Sequence, residues 1–340
     1  MAATRNLSLS AYAFGYGFGF VRERRPNALA VQSLDLLDLV GMCLEHELDG
    51  VEFPVDRYFP DLSLGALERF VEQSQASNLR VIFDLERFSA TYFCELAPIV
   101  RRYGGEFVRA KVCNFYGGNR FREPSYVSEK AAFLHELSGC VEAIDRYGVR
   151  VLVENHQDVT AKDLIGFSEE FGSHRVGVNW DTGNSFPSGE TTASFLEKTI
   201  HLIGNVHLKD YRFSSSAGGY VMHRCALGRG VVDFERFVPQ LVDYSRGRIP
   251  FTIELGAMTG REALIGDDRY WVHTEGVSPS EIDSLQRFVR SHLEDHVDLR
   301  SMWEQSAPPS EIAKAELEEV QESVTYCKGL FDGLRKPGSF

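Results

Sequence analysis

Four short segments decide what fold and what chemistry this chain can have: VLVEN (151–155), VGVNWD (176–181), NVHLKD (205–210) and FTIEL (251–255). Each is an apolar, β-type run that carries, at or near its end, a residue able to bind a metal ion. The runs are almost continuously apolar, as expected of parallel strands that are buried on both faces. The residues concerned are Glu154, Asp181, His207 and Glu254.

Outward from these segments, the chain alternates short β-type runs with longer helical patterns, which indicates βα units and a parallel sheet. Eight strands and their helices within about 260 residues predict a (β/α)8 TIM barrel, an α/β fold whose catalytic groups lie at the carboxyl ends of the strands. An open, doubly wound sheet is the alternative, but its reversed strand order would bring four consecutive strand ends together less readily. The predicted strands are 7–14, 49–54, 80–85, 107–113, 150–155, 176–181, 205–210 and 250–255.

The chain continues well beyond the last predicted strand. We divide it into a barrel catalytic domain at residues 1–265 and a C-terminal helical extension at residues 266–340. The extension contains two helical patterns, at 278–297 and 307–334, which begin at a serine and after two prolines. We expect these helices to pack on the barrel or on a partner.

Composition excludes several classes of function. The formal net charge of −13 argues against binding to a nucleic-acid backbone, which requires clustered lysine and arginine. Six cysteines are scattered without CxxC spacing, so we expect free thiols in a reducing compartment. With neither a signal pattern nor an apolar stretch of membrane-spanning length, we expect a cytoplasmic protein that does not contact membranes.

The residues at the strand ends favour a metal site. Taken singly, a carboxylate at a strand end is often a helix cap or a surface charge, but four ligand-type residues at successive strand ends form an oxygen-rich set suited to Mg²⁺ or Mn²⁺. A cation held there can grip two neighbouring oxygens of a hydroxy-carbonyl compound and stabilise the enediolate. A carboxylate with a free oxygen can act as the base, and Glu154 and Glu254 suit a pair that removes and returns a proton.

Five motifs carry a resemblance to a known family. Residues 150–256 resemble the sugar phosphate isomerase/epimerase superfamily, the xylose isomerase-like barrels, and weaker agreement extends back through VEFP (51–54). The motifs are short, but their order and their strand spacing are specific. They are VENH (153–156), WDTGN (180–184), VHLKD (206–210), LGRGVVDF (227–234) and IEL (253–255).

The resemblance implies a cofactor and a substrate class. It implies that one divalent cation is bound by four residues, Glu154, Asp181, His207 and Glu254. The expected cation is Mn²⁺, with Mg²⁺ or Co²⁺ as alternatives. The resemblance also implies that the two glutamates are the acid/base pair and that the substrate is a small carbohydrate or glycoside. We expect a homo-oligomer or a complex with a small second subunit.

Further residues are predicted to face the substrate. His156, two residues after Glu154, lies on the same side of the chain and is predicted to be catalytic. Many epimerases of this family have a histidine three residues after the strand-six aspartate, where this chain has Asn184. An asparagine can bind a sugar hydroxyl but transfers protons less well. The predicted substrate contacts are Asn184, Lys111, Glu52, Arg212, Arg224, Phe14 and Tyr16.

The segment AYAFGYGFGF (11–20) alternates aromatic residues with glycine after the first strand. It lacks the strand–GxGxxG–helix context of a nucleotide site, so we exclude a phosphate-binding role for it. It is expected at the barrel mouth, either as an aromatic plug under the loop or as an apolar wall for a substrate. Both interpretations stay open.

These observations favour a metal-dependent sugar isomerase or epimerase. The alternative is the catalytic subunit of a C-glycoside deglycosidase, a lyase-type enzyme of the same family that cleaves the carbon–carbon bond of a 3-keto C-glycoside by elimination. The aromatic segment 11–20, Asn184 and the C-terminal extension favour this alternative. The endonuclease IV branch of the fold needs more ligands and a basic face. A non-catalytic binding barrel is the last alternative, and the complete set of four ligand-type residues argues against it.

Overall fold

Eight parallel strands form a closed barrel in the computed structural model, which describes residues 6–21, 34–118, 126–256, 258–272 and 276–334. The strands follow chain order around the barrel, and the eighth closes on the first by pairing Phe251 with Leu7. All eight predicted strands are present, and the (β/α)8 fold is confirmed. The barrel strands are β1 (Leu7–Ser10), β2 (Gly50–Pro54), β3 (Arg80–Asp84), β4 (Phe107–Ala110), β5 (Arg150–Glu154), β6 (Val176–Asp181), β7 (Ile203–Leu208) and β10 (Phe251–Ile253).

Helices surround the barrel, and side chains at their first turns define several of their starts. Thr160 and Ser278 each cap a helix through reciprocal hydrogen bonds with the acidic residue three positions later. The helices are α1 (Leu36–Glu45), α2 (Val55–Tyr58), α3 (Ala66–Ala76), α4 (Ala90–Arg102), α5 (Tyr126–Tyr147), α6 (Ala161–Phe171), α7 (Thr192–Thr199), α8 (Phe234–Ser245), α9 (Pro279–Ser291) and α10 (Pro309–Gly333).

Helix α10 packs directly on the barrel. The ring of Phe331 lies 5.0 Å from that of Phe251 in β10, and Lys328 donates to the carbonyl oxygen of His46, just beyond α1, at 3.1 Å. The helix therefore occupies the place of the eighth barrel helix, between the last strand and the first βα unit. The domain boundary that the sequence suggests at residue 265 falls before this helix.

A small antiparallel sheet lies outside the barrel. It comprises β8 (Tyr211–Ser216), β9 (Gly219–Arg224) and β11 (Arg261–Ala263), with β9 in the centre. Two predicted substrate contacts belong to this sheet, with Arg212 in β8 and Arg224 at the end of β9.

Two expectations drawn from composition can be compared with the structure. All six cysteines lie in described segments and none forms a disulfide, as their spacing predicts. Among the described residues, no helix has the length and apolar character needed to cross a bilayer.

Candidate metal centre and cavity

The four predicted ligands meet at the carboxyl ends of the barrel strands. Glu154, Asp181, His207 and Glu254 each offer one ligand atom, and these atoms all lie within 4.8 Å of one another. All four residues are buried. Parallel register produces the convergence, because neighbouring strands end at the same edge and Asp181 pairs directly with His207. We call these four residues the strand-end cluster.

Two buried cations hold the carboxylates of the strand-end cluster. Lys209 Nζ lies 2.5 Å from Asp181 Oδ2 and 2.8 Å from Glu254 Oε1. Arg109 donates to Glu154 and also to Asp84 Oδ1, the latter at 2.6 Å. Each carboxylate of the cluster is thus oriented by at least one charged hydrogen-bond donor, in the manner of the outer partners that position metal ligands.

His207 is oriented in the same way. Its Nε2 lies 2.6 Å from Glu52 Oε1, so a neutral ring that donates there turns the lone pair of Nδ1 toward the cluster. Glu254 Oε2 lies 3.0 Å from that Nδ1, yet neither atom has a hydrogen-bond partner among the described residues. Two buried electron-pair donors that face each other without a proton between them fit a shared cation.

The charges around the cluster also favour a bound cation. Five carboxylates are buried there, and among the described lysines and arginines only Arg109 and Lys209 form ion pairs with them, so the carboxylates outnumber the cations that pair with them. Burial acts to lower the pKa of His207, but the carboxylates of Glu52 and Glu254 raise it well above its usual value. The ring therefore takes up a second proton unless another cation is bound. The carboxylates are Glu52, Asp84, Glu154, Asp181 and Glu254.

The ligand carboxylates differ in acidity. Burial raises the pKa of Asp181 to about 7, although Lys209 opposes the change. Burial also acts to raise the pKa of Glu154, but Arg109 and His207 outweigh it and hold that pKa well below the usual value. Lys209 and His207 likewise lower the pKa of Glu254 against the effect of burial. Both glutamates are therefore ionised at neutral pH and able to accept a proton.

A cavity leads from the strand-end cluster to the surface. It contains about 930 Å³ of empty space, part of it open to solvent, and Glu254 and Lys209 are in its wall. Aromatic rings line one part of it, and hydrogen-bonding or charged side chains line the rest. The aromatic residues are Tyr12, Phe20, Tyr116 and Tyr211, and the polar ones include Arg109, Lys111, His156, Gln157, Asn184 and Arg261.

His156 and Asn184 both border this cavity. Burial lowers the pKa of His156, so its ring is neutral at pH 7, and its Nδ1 has no hydrogen-bond partner among the described residues. Asn184 Nδ2 donates to Asp181 Oδ2 at 2.7 Å, while Asn184 Oδ1 accepts from Gln157 Nε2 at 2.9 Å. Asn184 therefore supports a ligand of the cluster as well as facing the cavity.

Glu52 and Arg212 are among the predicted substrate contacts that lie away from the cavity wall. Glu52 is in the middle of β2, two residues before the end of the strand, and its side chain contacts the ring of His207. Arg212 extends from the small sheet and forms a bidentate ion pair with Glu294. The structure thus places Glu52 in the support of a ligand and Arg212 on the outside of the mouth.

The aromatic segment divides its side chains between wall and core. Tyr12 and Phe20 line the cavity with their ring centres 4.5 Å apart. Phe14 is buried in the main apolar core, and Tyr16 packs against Trp303. The simple alternation of the sequence fails as a guide here because a 3-10 turn at Ala11–Ala13 and the turns that follow rotate the side chains.

A buried ion-pair network fixes this aromatic segment from outside. Both oxygens of Glu316 in α10 accept a backbone N–H, from Tyr16 and from Gly17, each at 2.9 Å. Arg224 donates to Glu319 Oε2 at 2.7 Å and to the carbonyl oxygen of Gly256 at 2.8 Å. We call Arg224, Glu316 and Glu319 the loop clamp. It places Arg224 in the support of the segment and outside the cavity.

The LGRG part of the fourth motif also has a structural role. Asp210 accepts hydrogen bonds from the backbone N–H groups of Gly228, Gly230 and Val232 at 2.8–3.0 Å. A Cβ atom at Gly230 would lie 2.3 Å from Asp210 Oδ1, so only glycine fits there. The aspartate and the glycines therefore hold the connection into α8.

Sequence reasoning omits several residues of the site. Lys209 lies two positions after His207 in a strand-like run, so its side chain points to the same side, and that spacing is a usable signal. Arg109 is a charge inside a buried strand, which itself indicates a paired functional group. Tyr12, Tyr211, Gln157 and Arg261 reach the cavity through loop geometry that leaves no local pattern.

Comparison with known proteins agrees with the fold. The profile of the family described as xylose isomerase-like TIM barrel matches residues 40–275. A curated relative, 3-oxo-isoapionate decarboxylase of Pectobacterium atrosepticum, is 26% identical over 93 residues, which are 27% of this chain and 34% of that protein. The chain thus matches about a third of the length of this relative.

Solved structures show the same architecture at low sequence identity. A xylose isomerase domain protein from Planctomyces limnophilus superposes with a TM-score of 0.55 at 11% identity, covering 87% of this chain and 93% of the other. The apo form of 3-keto-D-glucoside 4-epimerase from E. coli gives a TM-score of 0.52 at 13% identity, covering 84% and 99%. At these identities the similarity describes the fold.

Proposed function

The chain belongs to the xylose isomerase-like TIM barrel family, and we propose that it is a divalent-metal-dependent sugar isomerase or epimerase. In this proposal it removes a proton next to the carbonyl group of a small sugar or sugar derivative. The observation that carries the proposal is the pair formed by His207 Nδ1 and Glu254 Oε2, which lie 3.0 Å apart at the end of an open cavity without hydrogen-bond partners among the described residues.

The strand-end cluster is the proposed metal centre. Glu154, Asp181, His207 and Glu254 would hold the cation, and a set of three carboxylates and one imidazole suits Mn²⁺, with Mg²⁺ or Co²⁺ as alternatives. When bound, such a cation polarises the oxygens of a hydroxy-carbonyl substrate and stabilises the charge left by proton removal. Arg109 and Lys209 keep the carboxylates in place for that task.

Glu254 is the proposed base. It lines the cavity, and Lys209 and His207 hold its pKa low, so it is ionised and can accept a proton from a substrate C–H. Glu154, ionised and set deeper in the barrel, is the proposed partner that returns the proton in an epimerisation. His156, a neutral imidazole in the cavity wall, can donate a hydrogen bond to a sugar oxygen and accept one from a hydroxyl.

Elimination from a 3-keto C-glycoside remains the second candidate function. It begins with the same proton removal and differs in the bond that breaks next. The observation that favours it is the aromatic wall, because Tyr12, Phe20 and Tyr116 offer ring surface on which an aromatic aglycone can stack.

Chelation and proton exchange test the first proposal. Protein treated with EDTA and then supplied with Mn²⁺ is incubated in D₂O with D-fructose, D-fructuronate or D-fructose 6-phosphate, and loss of the C3–H signal is followed by NMR. We expect exchange only with the cation present. Equal exchange by metal-free and Mn²⁺-loaded protein would contradict the metal centre.

A parallel incubation distinguishes the two candidate functions. Mn²⁺-loaded protein is given an aryl 3-keto C-glycoside, and free aglycone is measured by chromatography. Aglycone release without exchange in the ketoses supports elimination, whereas exchange without release supports the isomerase. Arg212→Gln, which alters an ion pair outside the cavity, serves as the variant expected to behave like the wild type.

A further inference from the structure

Two positive charges in the cavity wall have no anionic partner among the described residues. Lys111, which follows β4 directly, is only 6% exposed, and Arg261 begins β11. Both border the cavity that leads to the strand-end cluster. Within the part of the chain that the structure describes, neither side chain takes part in an ion pair or a hydrogen bond, and the Nε of Arg261 is itself buried and unsatisfied.

The other cations around the barrel mouth are paired. Arg109 contacts two carboxylates, Lys209 contacts two more, and Arg224 and Arg212 each hold a glutamate. A cation removed from water without a partner costs free energy, and proteins normally avoid that cost by pairing the charge. Lys111 acts on the pKa of Asp84 but forms no ion pair with any described residue, and its position in the cavity wall makes an anionic ligand a suitable partner.

The two charges are carried by a rigid part of the wall. The guanidinium of Arg261 lies 3.9 Å from the ring centre of Tyr116, and that ring meets His156 edge-on at 5.2 Å. Gly117 has a φ of +60°, and a Cβ atom there would lie 2.2 Å from the carbonyl oxygen of Glu262. The chain after β4 is thus pressed against β11, which fixes Tyr116 beneath Arg261.

We propose that the substrate is an anionic sugar derivative whose carboxylate or phosphate group binds between Lys111 and Arg261. This inference rests on the proposed function, since it assigns the charge class of the substrate that reaches Glu254 in the same cavity. Arginine presents a planar set of donors that matches an oxyanion, and lysine adds a point charge. A neutral sugar would leave both charges unpaired.

In this arrangement, one set of residues binds the anionic group of the substrate and another set acts on its carbonyl end. The anion is held by β4 and β11, while the carbonyl end of the substrate is handled by residues on β5, β6, β7 and β10. Anchoring at one end would hold the reacting carbon in a single orientation.

Calorimetric titration of Mn²⁺-loaded protein with D-fructose, D-fructuronate and D-fructose 6-phosphate tests the proposal. These ligands share a carbon skeleton and differ at C6, which is a hydroxyl, a carboxylate or a phosphate ester. We expect at least one anion to bind about tenfold or more tightly than the neutral sugar, because charged hydrogen bonds are the strong ones. The tighter of the two anions identifies the group.

Two variants attribute the preference to the cations. Lys111→Gln and Arg261→Gln should each weaken binding of the preferred anion about tenfold and leave the affinity for D-fructose unchanged. Arg212→Gln is the matched control, since it removes a positive charge near the mouth but outside the cavity. Equal affinity for all three ligands, no binding of either anion, or an equal loss of D-fructose binding in the variants would each overturn the anion site.

The same samples separate this inference from the proposed function. Binding is measured by heat and needs no turnover, whereas C3–H exchange in D₂O reports the chemistry. Tight, Lys111-dependent anion binding without exchange would remove the isomerase proposal and keep the anion site. Exchange in D-fructose together with equal binding of all three ligands would keep the isomerase proposal and remove the anion site.

Discussion

The strand-end cluster and the loop clamp are both buried networks of charged side chains at the same mouth of the barrel, and they differ in how completely their polar atoms are used. In the loop clamp, both oxygens of Glu316 accept a backbone hydrogen bond, and Arg224 donates to a carboxylate and a carbonyl group. In the strand-end cluster, Glu254 Oε2 and His207 Nδ1 lack such partners among the described residues.

This difference separates a structural network from a binding one. Native proteins pair nearly all buried polar atoms, so a satisfied network is explained by the fold that it stabilises. Unsatisfied atoms grouped at the end of a cavity are explained by something that binds there. The two networks should therefore respond in opposite ways to substitution, with activity lost first in one and stability lost first in the other.

The largest effect is expected for Glu254→Gln. The amide keeps the shape of the side chain and an oxygen for Lys209, but it removes the base and one ligand charge. Proton exchange should fall by about 10²–10⁴-fold, the usual contribution of a positioned acid or base. Steady-state exchange in D₂O with added Mn²⁺ measures the loss.

Stability provides the control for that variant. Metal-free Glu254→Gln should stay folded but unfold at a lower urea concentration than the metal-free wild type, because the amide weakens the ion pair with Lys209 and the contact with His207 that lower the pKa of Glu254. The wild type should gain about 2.7 kcal/mol at a cation concentration 100 times its Kd, and the variant less. A variant that keeps full exchange activity would show that Glu254 is not the base.

Glu316→Ala should have an intermediate effect, and it should lower the stability of the protein before its activity. It leaves the backbone N–H groups of Tyr16 and Gly17 buried without acceptors, so the free energy of unfolding should fall by about 2–4 kcal/mol. Glu316→Gln can accept only one of the two bonds and should lose about half as much. Urea unfolding of the metal-free proteins measures both, and activity loss without destabilisation would place the clamp in the site.

The smallest effect is expected at Glu281, which is satisfied like the clamp but partly exposed. Burial acts to raise its pKa, but hydrogen bonds from Lys198 and Ser278 lower the pKa of Glu281 to about 2. Because the pKa of Glu281 is lower in the folded than in the unfolded protein, its ionised carboxylate stabilises the fold above pH ~4.5. This stabilisation is lost as the pH falls toward 2. Glu281→Gln should therefore cost about 1 kcal/mol at pH 7.

The pH course is the check on that prediction. Urea midpoints of the wild type and Glu281→Gln, recorded from pH 7 down to pH 3, should converge as the pH falls below about 4.5. A difference that stays constant across this range would mean that the carboxylate charge plays no part.

The barrel and its cluster could be predicted because their signals are local. A buried parallel strand is an apolar run, and its last side chains point to a known end of the barrel, so the position of Glu154, Asp181, His207 and Glu254 follows from the order of the strands. The family predicted from the motifs around these residues is confirmed by its profile, which matches residues 40–275.

The other parts of the site could not be predicted, because they depend on contacts between distant parts of the chain. Arg224 carries no local sign that its partner is Glu319 in α10, and Arg261 reaches Tyr116 only because β11 folds back onto β9. The side chains of the aromatic segment turn through a 3-10 helix, so a period of two misplaces Phe14 and Tyr16. Local periodicity predicts elements, and long-range pairing decides which of their side chains reach the cavity.

The bond between Tyr16 and Glu316 has a consequence for the order of assembly. It joins residues 300 positions apart. At a synthesis rate of about 5–20 residues per second, the clamp leaves the ribosome roughly 15–60 s after the segment it fixes. All four strand-end ligands are translated within that interval, so the nascent chain carries its reactive groups before Tyr12 and Phe20 are fixed in the wall. The strand-end cluster is thus synthesised before the contact that fixes the aromatic wall of the cavity.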